Sequence, residues 1–330
     1  MTLHRSSHRM SGSLLNFDCP ESSVPFALQT PDLCLTEQIG IVMTSTRDFY
    51  SFRHGAFDVT VLSDAPAESS DFGPLAENVH TASDGSQCED SGSDEICLAP
   101  SNIPFLVTAD EMILVDVGAG ERKSEHTGFL EANLEAIGVH ATDISLVVLT
   151  HAHPCHIWGL VRPDGSLRYA NARYVMSEAE WSFWMKDKDN DEPTTEYERM
   201  SRAHTRKTLS AILGRVTLVE DGDEIIPGLR VLSSCGHTPG HIAVILESDV
   251  PLIVTGDTVA SDVVSFEHPD WSFGFDIDAG QAATTRHQIL NQAEEERAKL
   301  LGFRWRYPGV GRAVRLGAAF RLRRVPEVTR

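Results

Sequence analysis

Thr150-His151-Ala152-His153-Pro154-Cys155-His156 stands directly after the largely apolar run Ile144 to Leu149. A run of that length reads as a strand covered on both faces, so three histidines arrive together at a strand end. The His-x-His spacing sends both rings to one side of an extended segment, and the turn-forming proline lets His156 face a different position. Imidazoles converging from rigid strand ends are what a zinc or iron site requires, provided one coordination position stays open for water. A lone cluster of this kind can also be coincidence or an adventitious nickel-binding patch, the lesser of the two readings, so its meaning depends on what surrounds it.

Upstream, Phe57 to Leu62 alternates at the strand period, and the runs Ile103 to Thr108 and Met112 to Val117 flank Ala109-Asp110-Glu111 as a hairpin. The second run ends in Asp116-Val117-Gly118-Ala119-Gly120, a strand entering a glycine turn. Downstream, Ser177-Glu178-Ala179-Glu180 reads as a capping box opening a helix that carries Trp181 and Trp184. Strands follow at Arg230 to Ser233, Ile242 to Leu246 and Leu252 to Val254, and Asp278 with Gln281 opens a helix running to about Leu300. Strands alternating with helices in two halves predict an α/β fold, a four-layer αββα sandwich. Residues 1–45, rich in Ser, Thr and Pro, read as a loosely ordered N-terminal extension before a domain over 46–330, within which 65–101 is an acidic loop or insertion.

Composition narrows the function classes. The 330 residues carry 48 acidic against 28 basic side chains, a formal charge of -20 that repels a phosphate backbone and anionic lipid. Nucleic acid and membrane are therefore not expected as partners, and a small-molecule substrate is. No stretch approaches the roughly 20 apolar residues of a membrane span, and the first forty residues lack the apolar core of a signal peptide, so the expected location is cytoplasmic. Cys19, Cys34, Cys88, Cys97, Cys155 and Cys235 form no CxxC pair and read as free thiols, although a pairing of Cys88 with Cys97 or Cys155 with Cys235 under oxidation is conceivable.

Two later motifs change the standing of the histidine cluster. Gly236-His237-Thr238-Pro239-Gly240-His241 follows one strand and Gly256-Asp257 follows another, so an imidazole and a carboxylate also arrive at strand ends. In this order the three motifs resemble the metallo-β-lactamase superfamily over about residues 50 to 325. Phe266-Glu267-His268-Pro269-Asp270-Trp271 and Tyr307-Pro308-Gly309-Val310-Gly311-Arg312 are similar to segments of its branch of methyl parathion hydrolase-like and acyl-homoserine lactonase-like enzymes. The resemblance implies a first metal on His151, His153 and His237, with Asp257 bridging to a second metal that His156 binds. The chain departs from that pattern twice: Cys155 stands where the motif has aspartate, and Arg304 where a last histidine is expected. A thiolate can still ligate zinc, but arginine stays protonated and cannot.

The sequence thus predicts a metal-dependent hydrolase that uses metal-activated water on an ester, lactone or organophosphate-like substrate. Zinc is expected, one ion per chain being favoured over two, with iron, cobalt and manganese left open. Metal ligands are sought among His151, His153, His237, Asp257, His156 and Cys155. Asp257, His156 and Arg304 are the residues expected to act on water or substrate. Two rival readings are a degenerate family member that binds a ligand or partner without turnover, and a dehalogenase or oxygen-using enzyme on the same fold. Homodimerisation is compatible with the branch. His241 is expected to pack beside its loop, His268 to serve a turn, and Asp116 to support a ligand rather than bind metal.

Overall fold

Alternation along the strands sorts the apolar side chains onto two faces, and the two sets of faces build three layers of core. The computed structural model describes residues 49–64, 101–120, 127–186 and 196–325, so the expected extension and nearly all of the expected insertion, with Cys19, Cys34, Cys88 and Cys97, lie outside the described residues. One seven-stranded sheet runs in chain order through β1 (Tyr50–His54), β2 (Phe57–Ser63), β3 (Asn102–Val107), β4 (Met112–Val115), β5 (Leu146–Val148), β6 (Arg173–Ser177) and β7 (Val216–Val219). The other runs from β8 (Glu224–Ile226) through β9 (Leu229–Ser233), β10 (Ile242–Leu246), β11 (Leu252–Val254), β12 (Lys299–Leu301) and β13 (Val310–Leu316) to β14 (Ala319–Arg324).

Phe57, Val59 and Val61 of β2, Ile113 and Val115 of β4, and Leu146 and Val148 of β5 pack against Val231, Ile242, Val244, Leu252, Val254 and Leu301 of the second sheet. Their neighbours in sequence, Leu62, Leu114 and Val147, point the other way, onto Leu130 and Leu134 of α1 (Leu130–Ala136) and Trp184 of α3 (Glu178–Met185). On the far side Ala243, Ile253 and Leu300 meet Phe266 of α5 (Val264–Glu267) and Ile289, Leu290 and Ala293 of α6 (Ala279–Glu295). The result is the expected order of helices, sheet, sheet, helices. It also explains why the strands read as continuous apolar runs: both of their faces are covered.

Two details differ from the sequence expectation. The helix opened by Asp278, whose side chain accepts from the Gln281 N–H, stops at Glu295 rather than near Leu300. Arg297 turns the chain at φ 53, and Lys299–Leu301 then pairs in parallel with β11. That pairing has a large consequence, because its register sets Val254 beside Leu301, and three residues further on each strand lie Asp257 and Arg304.

The glycine turn after β4 is held by a residue that sequence reading passed over. The buried carboxylate of Asp64 accepts the Ala119 N–H at 3.0 Å and the Leu130 N–H at 3.1 Å, tying the end of β2 to this turn and to α1. Gly118 sits there at φ 70, and a Cβ on it would lie 2.6 Å from the Asp64 carboxyl carbon. Gly138, at φ 77, faces open space. Gly138→Ala is expected to cost roughly 1–2 kcal/mol from backbone strain alone. Gly118→Ala should cost about 2–4 kcal/mol, because the carboxylate must also shift. Urea unfolding of both variants checks this, and equal losses would show that Asp64 yields without cost.

Candidate metal centre

Five segments deliver side chains to one place at the ends of the two sheets: β4 brings Asp116, β5 brings His151, His153 and His156, β9 brings His237, β11 brings Asp257, and β12 brings Arg304. All are buried except His153, which is half-buried and forms the open edge of the cluster. Among the described residues, two overlapping groups of ligand-type atoms lie within 4.8 Å of one another: His151, His153 and His237, and His151, His156 and Asp257. Cys155 belongs to neither. Instead its Sγ accepts from Nη2 of Arg304 at 2.8 Å.

The nitrogens of the first group are set by hydrogen bonds on their far sides. Asp116 accepts the Thr150 hydroxyl at 2.8 Å, so that hydroxyl oxygen, 3.1 Å from Nδ1 of His151, serves as an acceptor there and turns Nε2 of His151 inward as a lone pair. Likewise Nδ1 of His237 donates to Asp276 at 2.9 Å, leaving its Nε2 to point inward. Between these two nitrogens sits Nδ1 of His153, 3.1 Å from His151 Nε2 and 2.9 Å from His237 Nε2. Three imidazole nitrogens facing one another can share at most one proton among them. Their spacing is close to the ~3.3 Å edge of a tetrahedron built on the 2.0–2.1 Å bonds of a zinc–histidine site. Burial, with the neighbouring imidazoles, holds His151 and His153 well below the ordinary histidine range, which keeps them neutral as ligands must be. Oδ1 of Asp257, buried and without a hydrogen-bond partner, is a further donor beside this set, and Oδ2 lies 3.6 Å from Nε2 of His237. These residues fit a divalent ion.

The second group is differently placed. Burial alone would raise the Asp257 carboxyl, but Arg304 and His156 hold it well below the carboxylate range. Nε and Nη2 of Arg304 each lie 2.9 Å from Oδ2 of Asp257. His156 donates from Nδ1 to Asp116 at 2.7 Å, and its Nε2 lies 3.3 Å from the same Oδ2. Although burial pushes it down, the two carboxylates of Asp257 and Asp116 lift this imidazole well above the ordinary range. Phe303 stacks on it at 3.7 Å between ring centres. Asp116 makes these contacts from φ 63, a conformation that a non-glycine residue adopts only where its surroundings impose it.

His241 packs beside its loop, as expected: its Nε2 accepts the Asp257 N–H at 3.1 Å and so orients the carboxylate without facing the cluster. His268 stacks on Trp271 in an exposed turn. Cys155 and Cys235 are both free thiols. Two supporting carboxylates were not found from sequence. Asp276 directly follows the aromatic stretch from Trp271 to Phe275, a signal available in hindsight, and the buried Arg286 lies 3.4 Å from its other oxygen. Glu180 reads as the partner in a capping box, and its N–H does donate to Ser177. Its carboxylate, however, turns inward: Oε1 accepts from Ala152 N at 2.8 Å and Trp184 Nε1 at 2.7 Å, and Oε2 from the Thr238 hydroxyl at 2.6 Å and Gly240 N at 3.1 Å. One side chain thereby joins the backbone between His151 and His153 to the loop that carries His237.

Residues 98–302 match the family model described as the metallo-beta-lactamase superfamily. No curated protein matches the chain. Among solved structures, AidC, a dizinc quorum-quenching lactonase, aligns with a TM-score of 0.71 and 25% identity, covering 84% of this chain and 97% of that one. The hydrolase AbOPH of the beta lactamase superfamily gives 0.68 and 23% over the same shares of the two chains. A probable metal-dependent hydrolase from Staphylococcus aureus gives 0.57 and 19%, over 69% of this chain and 83% of that one. The last two bear on the fold alone.

Glu180→Gln replaces one of two acceptor oxygens by a donor facing donors. It is expected to lower stability by about 2–4 kcal/mol and to weaken metal binding by about 10- to 100-fold, measured by thermal melts and by competition with a chelator. The exposed neighbour Glu178→Gln is the control, and a Glu180 variant indistinguishable from it would remove Glu180 from the support of the site.

Proposed function

Because the chain belongs to the metallo-β-lactamase superfamily, we propose that it is a metal-dependent hydrolase whose ion, zinc by the nature of its donors, is held by His151, His153 and His237. The observation that carries this reading is the meeting of three inward imidazole nitrogens, 2.9 and 3.1 Å apart, beside a carboxylate oxygen without a partner. When bound, such an ion supplies Lewis acidity and brings the pKa of a coordinated water toward neutrality. Everything else is the work of the protein. Asp257, kept ionised by Arg304, holds the proton of the attacking water through Oδ1. His156, fixed between Asp116 and Asp257, and Arg304 place positive charge where an oxyanion develops.

The rings around the cluster favour a substrate with an apolar part: Trp184 lies 6.0 Å from His153 and Phe275 5.3 Å from His237, centre to centre. An ester, a lactone or an organophosphate-like bond suits this combination of Lewis acid, held water and apolar wall. The likeness to a quorum-quenching lactonase favours the lactone among the three. Among the described residues no helix is long and apolar enough to cross a membrane.

The test is hydrolysis of acyl-homoserine lactones of several chain lengths, aryl esters and phosphotriesters, alongside metal content. His151→Ala is expected to lose the ion and at least about 10³ of kcat/KM. Metal content and hydrolysis both intact in that variant would overturn the assignment.

A further inference from the structure

The two departures from the family pattern, read separately in the sequence, are one contact in the structure. Nη2 of Arg304 reaches Cys155 Sγ at 2.8 Å, and Nε and Nη2 reach Asp257 Oδ2 at 2.9 Å, so the guanidinium spans two of the positions at which a second ion would be held. Its side chain is 3% exposed, and the rings of Phe303 and Phe275 lie 5.4 and 5.9 Å from its central carbon. We propose that the guanidinium of Arg304 takes the place of a second metal ion, so that the chain binds one divalent ion and uses a fixed protein cation on the other side of Asp257. This rests on the hydrolase reading above.

Three arguments converge. First, the parallel pairing of β11 with β12 sets the site of Arg304 beside that of Asp257, so the contact is built into the sheet rather than made by a wandering surface side chain. Second, the donors remaining for a second ion are too few. His151 belongs to both candidate groups, yet its Nε2 faces His153 and its Nδ1 faces Thr150, which leaves His156 and Asp257 as the second pair. Third, arginine does not give up its proton, and a divalent ion placed beside it would meet an unscreened positive charge in a buried setting. Cys155 completes the fit: the shorter thiol leaves room at the guanidinium where a carboxylate would hold a metal. A dinuclear site would need both residues changed, not one.

The experiment counts metal. Wild-type protein, stripped with chelator, is titrated with Co²⁺ and with Zn²⁺, desalted and assayed for ions per chain, with the visible absorption of cobalt as a second readout. One ion per chain is expected under excess metal, two in the Cys155→Asp, Arg304→His double variant, and one in Arg304→Lys, which keeps the charge. Two ions in the wild type would overturn the proposal and leave the hydrolase reading standing, whereas none would overturn the reading on which it rests. A folded double variant that still binds one would show that Arg304 is not what excludes the second ion. Should the double variant fail to fold, the wild-type count decides alone.

Discussion

The carboxylate of Asp257 is shut off from water, and a buried anion persists only where positive charge and donors surround it. Much of the site is arranged to meet that condition. His241 holds its backbone N–H, Gly256 turns the chain at φ 53 where a Cβ would meet the His241 ring 2.6 Å away, and Arg304 and His156 share its Oδ2. The parallel register of β11 with β12 brings the arginine, and the short helix α2 (Pro154–Ile157) brings the histidine. Removing either cation would leave a charge with no solvent to receive it, so the geometry of the two sheets and the ionisation of one side chain constrain each other.

Three further carboxylates do for the histidines what the cations do for Asp257. Asp116 fixes Thr150 and His156, Asp276 fixes His237, and Glu180 ties the backbone of the first histidine motif to the second. None of them belongs to the inward-facing groups of ligand atoms. Each restricts a ring or a loop to one orientation, so that three imidazole nitrogens meet at one point. Burial lifts Glu180 above the usual carboxylate range even though four donors converge on it, a measure of how dry the loop junction is.

How much of this was legible follows from the distance over which each feature acts. The histidine cluster, the Gly-His and Gly-Asp turns and the alternation of the strands are local patterns, and they appear in the structure where the sequence placed them. Glu180 shows the limit of local reading: three residues after Ser177 it fits a helix cap, and nothing nearby in sequence reveals that its carboxylate is wanted by residues 28 and 60 positions away. The end of the helix after Asp278 is hidden from local reading in the same way, since Lys299–Leu301 owes its strand conformation to pairing with β11 rather than to its own side chains.

By itself the sequence determined the layered fold, because periodicity and turn chemistry act over a few residues and survive without knowledge of the partner, and its three ordered motifs carried the resemblance to the family. It also disclosed that Cys155 and Arg304 were out of pattern. Only the tertiary structure decided that the two touch, that Arg304 also lies against Asp257, and that the ring nitrogens face inward as they do. Those facts depend on strand register and on hydrogen bonds spanning up to 149 positions of the chain, and such contacts leave no local trace.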